Sequence, residues 1–140
     1  MKVLECSEPN DNISFLYDII NSMNIDKLKY KWVISDLDLV PIFHGDYSGI
    51  GGEERESVSY NFIKRIEKEK VIVLNSDELF TILKDTQTIR NGVFICLAKE
   101  YDIEADTYRP RVESNKSNQM YDERAKYEIR ILDGDLFFVL

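Results

Sequence analysis

The sequence contains only one histidine and two cysteines, and it has no long hydrophobic run. Cys6 and Cys96 lie far apart, each beside apolar residues, which favours two reduced, buried cysteines over a structural disulfide. No stretch approaches the roughly 20 apolar residues that span a bilayer, and residues 1–6 lack the core of a signal peptide. We therefore expect a cytoplasmic protein with no membrane partner.

Basic residues are also few relative to acidic ones. The chain has 18 Lys and Arg against 26 Asp and Glu, a net charge of -8. Binding to nucleic acid needs clustered cations that displace counterions from phosphates. The densest basic stretch, residues 64–70, is interleaved with Glu67 and Glu69, as is typical of a solvated helix face. We expect no nucleic-acid partner.

The apolar content is high enough for an ordinary folded domain. The 140 residues are 44% hydrophobic and 11% aromatic, which is sufficient to bury a core without disulfides or a metal. No repeat, linker or low-complexity tract divides the chain. We predict one domain over residues 1–140, of the α/β or α+β class, with a mixed central sheet.

Helices are predicted at two places by hydrophobic spacing and capping residues. Apolar residues at helical spacing predict a helix over 11–23, and Asn75 with Glu78 forms a capping-box pattern that opens a helix over about 76–85. Residues 53–70 fit both helical and strand spacing, and a helix is favoured in their second half.

Strands are predicted by short apolar or alternating runs. Such runs lie at 1–6, 30–34, 39–43, 71–74, 93–98 and 126–131. We expect 71–74 and 93–98 to be buried, and Pro41 to make 39–43 an extended or edge segment. Asp133-Gly134 predicts that the chain ends in a β-hairpin over 126–140, and 99–121 is expected to be a long loop.

Ten carboxylates occupy two short windows, and the combined negative charge of these windows exceeds the net charge of the whole chain. Residues 36–56 carry -5 and residues 100–106 carry -4, while the rest of the chain has 16 acids and 17 bases. Local fields of one sign steer and select charged partners. The pattern therefore predicts a surface that binds a basic protein.

Tyrosines accompany both groups of acids and offer aromatic anchors for an interface. In an extended conformation the second window would project its four acids to one side, as a carboxylate comb; the alternative is a charged edge that opposes aggregation. The predicted partner-binding residues are Asp36, Asp38, Asp46, Tyr47, Glu53, Glu54, Glu56, Tyr101, Asp102, Glu104, Asp106 and Tyr108.

One short pattern points to chemistry instead of binding. Residues 34–40, Ile-Ser-Asp-Leu-Asp-Leu-Val, resemble the first motif of haloacid-dehalogenase-type phosphotransferases. The resemblance implies that Asp36 is the nucleophile, that Asp38 is the acid/base and that Mg²⁺ offsets the phosphate charge. The chain is too short for the usual Rossmann-like layout of that family, so a small phosphotransferase is the alternative hypothesis.

Other enzymatic patterns are incomplete. His44, Asp46 and Glu53 together would be an unusual carboxylate-rich metal site, and Cys96 lies in an apolar run where burial opposes thiolate formation. The glycine-rich residues 45–52 lack the lysine of a phosphate-binding loop, and we interpret them as a flexible surface loop or a recognition loop. We expect no enzymatic activity, no metal and no cofactor.

A small acidic domain with tyrosine- and carboxylate-rich loops resembles bacterial immunity proteins, which neutralise contact-dependent or other polymorphic toxins. The residues named above as partner-binding carry this resemblance, and the order of elements is also similar to that of a family of small Firmicute proteins. The resemblance implies a stoichiometric inhibitor of a co-encoded toxin, often a nuclease whose basic active site is covered by acids. A regulatory adaptor without a toxin partner is a further alternative.

Overall fold

The computed structural model describes residues 1–42, 58–113 and 118–140. Within these ranges the chain forms three helices and six strands. The helices are α1 (Ile13–Ser22), α2 (Val58–Glu69) and α3 (Ser76–Lys84). The strands are β1 (Lys2–Glu5), β2 (Tyr30–Pro41), β3 (Val71–Leu74), β4 (Thr86–Ala98), β5 (Tyr127–Leu132) and β6 (Leu136–Val139).

The six strands form one sheet in the order β1-β6-β5-β4-β2-β3, and each neighbouring pair is antiparallel. This confirms the α+β class. The predicted mixture of strand directions is not seen, since the sheet is antiparallel throughout. A strand that is covered on both faces shows an apolar run whichever way its neighbours point, so the sequence carried no signal for strand direction.

Local patterns predicted several elements correctly. The α1 and α3 helices, the first strand, and a helix in the second half of 53–70 are all present. The capping box is formed: Glu78 N–H donates to Asn75 Oδ1 at 2.8 Å and Asn75 N–H donates to Glu78 Oε1 at 3.0 Å. In the terminal hairpin, Asp133 and Gly134 have φ of 55° and 77°, as a type I′ turn requires.

The two long strands, β2 and β4, differ from prediction, and β4 begins at Thr86, seven residues before the predicted run 93–98. Residues 30–34 and 39–41 belong to one strand, β2, which a bulge interrupts between Ser35 and Leu39 instead of a chain break. Over Trp32–Ser35, β2 lies inside the sheet between β3 and β4, and its later residues pair with β4 alone. The short run 71–74 lies at the edge of the sheet, yet Val71, Ile72 and Leu74 are buried as predicted.

Both faces of the sheet are covered. The helices pack on one face, against side chains such as Trp32, Phe94 and Ile129. Residues 99–113 and 118–126 cover the other face, where Tyr108 and Val112 belong to the same buried cluster as the sheet valines and leucines. The predicted loop contains no helix or strand in its described part, yet it forms a third layer of the fold.

The two cysteines are in the state that the sequence predicts. Cys6 and Cys96 are both free and buried, and burial raises the pKa of the Cys96 thiol to about 12, although Lys126 acts in the opposite direction. Among the residues described, no helix has the length and apolar character needed to cross a membrane.

Asn12 joins α1 to the sheet and to the terminal hairpin. Its side chain is fully buried and does not cap α1, although the residue stands at the N-cap position. Instead, Nδ2 donates to Ile89 O at 2.7 Å and to Gly134 O at 2.9 Å, and Oδ1 accepts from Ile89 N–H at 2.9 Å. One side chain therefore satisfies three backbone groups from two distant parts of the chain.

Replacing Asn12 with alanine should destabilise the fold strongly. Asn12→Ala leaves Ile89 and Gly134 with unpaired polar groups in the interior, so we expect the free energy of unfolding to fall by about 2–4 kcal/mol. Urea unfolding measures this change. Asn10→Ala, at an exposed position of the same turn, is the control and should cost under about 0.5 kcal/mol. Equal losses in the two variants would contradict the role assigned to Asn12.

Candidate functional site

The bulge in β2 brings two of the predicted acids to the surface. Asp36 has φ of 51° and shifts the register of the strand, and the side chains of Asp36 and Asp38 are both exposed. One oxygen of Asp36, Oδ2, accepts a hydrogen bond from Val112 N–H at 2.9 Å. The bulge therefore fixes Asp36 against the loop layer at Val112, while the carboxylate of Asp38 has no hydrogen-bond or ion-pair partner among the described residues.

A cavity of about 630 Å³ opens beside this bulge, between the end of α2 and residues 109–113. Its carboxylates are Asp36, Asp38, Glu67, Glu113 and Asp133, and its cations are Lys70, Arg109 and Arg111. The volume is in the usual range for small-molecule sites. The wall is acidic overall but carries both signs of charge.

The second acidic window does not form the predicted comb. Thr107 N–H and Tyr108 N–H both donate to Glu104 O, at 3.0 and 2.9 Å, so the chain turns here and the extended conformation is wrong. A comb would need side chains to alternate along a strand. Asp102, Glu104 and Asp106 are nevertheless all exposed.

The two tyrosines near this window have different environments. Tyr101 is 38% exposed, and the Arg124 guanidinium lies 5.1 Å from the centre of its ring. Tyr108 is only 9% exposed; its ring meets Tyr121 edge to face at 4.9 Å, and its hydroxyl donates to Asp122 at 3.0 Å. Tyr108 is part of the core, so we remove it from the predicted contact surface.

The described acids of the two windows lie on the same side of the sheet. Lys31 Nζ donates to Lys99 O at 3.2 Å, close to the start of the second window, while Ser35 Oγ donates to Pro110 O at 2.6 Å. The chain from 99 to 112 therefore runs back along β2 as far as Asp36. Five residues of strand separate Lys31 from Asp36, about 17 Å at a rise of ~3.3 Å per residue. Asp36 and Asp38 are therefore close enough to the second window for one partner to cover both groups of acids.

None of the acids described in these windows makes an ion pair with a described lysine or arginine. They are Asp36, Asp38, Glu100, Asp102, Glu104 and Asp106. We call these six acids, with Tyr101, the acidic face. Unpaired carboxylates of this kind are available to an external cation.

Five of the predicted contact residues lie outside the described residues, and so does His44, for which the sequence analysis expects no metal-binding role. The five are Asp46, Tyr47, Glu53, Glu54 and Glu56. The glycine-rich loop of residues 45–52 lies there as well. Elsewhere in the chain, no group of three or more His, Cys, Asp and Glu side chains is arranged to hold a metal ion.

A buried ion pair beneath the loop was missed by the sequence analysis. Glu128 and Arg130 alternate with apolar residues in β5, which is usual for a solvated face, yet their side chains are 0% and 3% exposed. Arg130 donates to Glu128 and to Gln119 O, and Glu128 Oε1 accepts from Tyr121 N–H at 2.7 Å. The pair fastens the end of the loop to the sheet.

Asp122 forms a second anchor within the loop. Its carboxylate accepts hydrogen bonds from the backbone and guanidinium of Arg124, at 2.8 to 3.0 Å, and from the Tyr108 hydroxyl. The hydrogen bonds from Arg124, more than that from Tyr108, hold the pKa of Asp122 below its usual 3.8, although burial acts in the opposite direction. The charged form of Asp122 therefore stabilises the folded loop.

Asp122→Asn should lower stability in a pH-dependent way. The folded-state pKa lies below the unfolded one, so the stabilisation is complete above about pH 4 and is lost as the pH falls through the folded-state pKa. We expect a loss of about 1–3 kcal/mol at pH 7 that shrinks towards pH 3. Urea unfolding over this pH range measures it, with exposed Glu123→Gln as the control. A loss that does not vary with pH, or one equalled by Glu123→Gln, would contradict this assignment.

No protein-family model matches the chain, and comparisons with curated proteins and with solved structures found no match either.

Proposed function

We propose that this chain is a cytoplasmic binding protein that neutralises a basic protein partner through the acidic face, as an immunity protein neutralises a toxin. The observation that carries the proposal is the state of the six acids of that face: they are exposed, they lie on one side of the sheet, and no described cation pairs with them. A partner with a basic active site, such as a nuclease, has the complementary charge.

The charge balance of this region supports a cationic partner. Residues 36, 38 and 99–113 hold seven acids and three bases. Like charges at this spacing repel one another in the free protein, and a basic surface that covers them removes that cost. The same field accelerates encounter over a distance of about one Debye length, roughly 8 Å at physiological salt.

The anchoring of the loop supports tight binding. A binding loop that is ordered only on contact loses affinity, because ordering a side chain costs about 0.5–1.5 kcal/mol. Here Ser35, Asp36 and Lys31 hold the first half of the loop to β2, and the Glu128–Arg130 pair holds the second half to β5. The carboxylates are therefore positioned before a partner arrives.

The proposed face has an aromatic contact at one end. Tyr101 is exposed and lies under Arg124, so its ring offers rigid apolar area beside Asp102. Asp46, Tyr47, Glu53, Glu54 and Glu56 are predicted to extend the contact surface from the segment that links β2 to α2.

Reversing charge on the acidic face should slow association with the partner. The double variant Glu104→Lys/Asp106→Lys keeps the backbone hydrogen bonds of the turn and changes only exposed side chains. We expect the association rate at low salt to fall about tenfold and its salt dependence to weaken, because rim charges act mainly on encounter. The partner is identified by co-expressing this protein with each toxin-like reading frame beside its gene and scoring rescue of growth. Stopped-flow mixing of each variant with the inactivated toxin domain then measures the association rate.

The matched control is Glu8→Lys/Asp18→Lys, which changes the net charge by the same amount at exposed positions before and within α1. Its association rate should change much less. Equal slowing in the two double variants would mean that net charge alone matters, and the acidic face would not be the interface. If the protein protects against none of the neighbouring toxin-like reading frames, a regulatory adaptor is favoured instead.

One observation favours the phosphotransferase alternative: Asp36 and Asp38 share a cavity with Lys70 and Arg111, which are suited to phosphate. Two observations oppose this activity: the antiparallel sheet is unlike the Rossmann-like layout that the motif implies, and the Asp36 carboxylate already accepts a hydrogen bond from Val112 N–H. The phosphotransferase is therefore the second candidate and not the first.

Turnover of p-nitrophenyl phosphate with Mg²⁺ separates the two candidates. On the binding proposal, the wild type and Asp36→Asn both release no more nitrophenol than buffer does, because no chemistry depends on the carboxylate. Release by the wild type that both Asp36→Asn and Asp38→Asn abolish, with circular dichroism unchanged, would establish the enzyme and displace the binding proposal.

A further inference from the structure

The strand β3 lies at one edge of the sheet, and its residues do not protect that edge. Edge strands usually carry charged side chains, a proline or a bulge, which oppose pairing with another chain. The other edge strand, β1, begins with Lys2 and ends with Glu5, and both are exposed, whereas all four residues of β3 (Val71–Leu74) are apolar. The edge at β3 is therefore open to a further strand.

The hydrogen-bond pattern of β2 determines which backbone groups of β3 face this edge. Lys99 N–H donates to Lys29 O at 2.9 Å, and these two residues continue the register of β2 with β4. Successive residues of an antiparallel strand bond to neighbours on alternate sides. Before the bulge, the odd-numbered residues of β2 therefore bond with β4 and the even-numbered residues bond with β3.

Val71 and Val73 direct their N–H and C=O groups away from the sheet. Within β3, Ile72 and Leu74 lie opposite even-numbered residues of β2 and bond with them, so the two valines face outward. Among the described residues, no backbone hydrogen bond outside the ladder involves Val71 or Val73. The edge thus offers donors and acceptors at the spacing of a β ladder.

The two valines also differ in exposure. Val73 is 40% exposed, while Val71, the next residue along the loop side of β3, is 6% exposed. If two copies of β3 pair antiparallel with Ile72 opposite its own equivalent, Val71 of each copy lies opposite Val73 of the other. In this register each such pair exchanges both of its hydrogen bonds, and the exposed valine is covered.

The charges beside β3 are complementary to themselves in this arrangement. Residues 64–70, which lead into β3, hold four cations and two acids, while residues 75–78, which follow it, hold two acids and no cation. Antiparallel pairing brings the start of one strand to the end of the other. The end of α2, with Lys68, then lies near the start of α3 of the second copy, with Asp77. Opposite charges therefore meet at both ends of the paired strands.

The groups that would meet are available. Lys68 is exposed and makes no ion pair with a described residue. Asp77 pairs with Lys27 at 3.6 Å, but both side chains are more than 60% exposed, so that pair is weak.

We propose that the chain forms a two-fold symmetric homodimer in which the β3 edges of two copies pair antiparallel and join the two sheets into one. A two-fold interface uses the same patch on both subunits and closes on itself. The charged β1 edges remain at the ends of the joined sheet and oppose further growth. The proposal is independent of the acidic face, because it needs no partner protein and is tested on the chain alone.

Sedimentation velocity of the purified full chain measures the dimer. We expect a reversible monomer–dimer equilibrium with a micromolar dissociation constant, because an interface built on two short strands is small. Val73→Lys should raise the dissociation constant about tenfold or more, since a charged side chain opposes edge pairing. Val3→Lys makes the same change at an exposed valine of the other edge strand; it is the matched control and should dimerise as the wild type does.

Two further variants test the hydrogen bonds and the charges. Val73→Pro removes an N–H that β2 does not use, so it should break the dimer while leaving the circular dichroism unchanged. Lys68→Glu should weaken the dimer several-fold at low salt, and Lys68→Glu/Asp77→Lys should restore it, because opposite charges meet again. The charge exchange keeps the test decisive if Val73→Pro does not fold.

Three results would overturn the proposal. A monomer at every concentration would mean that β3 does not pair with a second copy, and a strand from another protein would then be the candidate for this edge. A dimer that Val73→Lys leaves intact, or that Val3→Lys weakens equally, would place the interface elsewhere. No recovery in Lys68→Glu/Asp77→Lys would rule out the antiparallel arrangement.

Discussion

The ion pair between Glu128 and Arg130 is the interaction on which the loop side of the molecule depends. Both side chains are buried in a face that is otherwise apolar, and removing two charges from water costs several kcal/mol for each ion. Their hydrogen bonds to Tyr121 N–H and Gln119 O offset part of that cost. Tyr121 and Gln119 both belong to the loop and the ion pair belongs to β5, so these hydrogen bonds order the loop and the sheet face together.

This coupling determines what the surface presents. The described part of the loop contains no helix or strand, and long loops of this kind are ordinarily mobile. Mobile carboxylates would offer only a diffuse negative field. In this chain the loop is fixed at both ends and also along β2, through Ser35 and Asp36. Its acids therefore have defined positions relative to Asp38. A defined arrangement of charge discriminates between partners, whereas a diffuse field attracts all cations alike.

The sequence predicted the features that local chemistry decides. The Asn75–Glu78 capping box and the Asp133-Gly134 turn each involve neighbours in the chain, and both are formed. The sequence could not reveal which side chains are buried by a segment that is distant along the chain. Glu128 and Arg130 alternate with apolar residues as on a solvated strand, and only the return of the loop buries them. Tyr108 follows a run of acids and was predicted to be exposed for that reason, yet its ring closes the loop onto the sheet.

The strand β2 links the two sides of the molecule, because successive side chains of a strand point to opposite faces. Trp32 and Ile34 point into the helix layer, while Val33 points under the loop. In a regular strand Asp36 would follow Trp32 and Ile34 into the helix layer. Its φ of 51° and the register shift instead turn its carboxylate towards Val112 N–H on the loop side. The bulge therefore keeps a charged side chain out of the apolar helix layer and adds it to the acidic face.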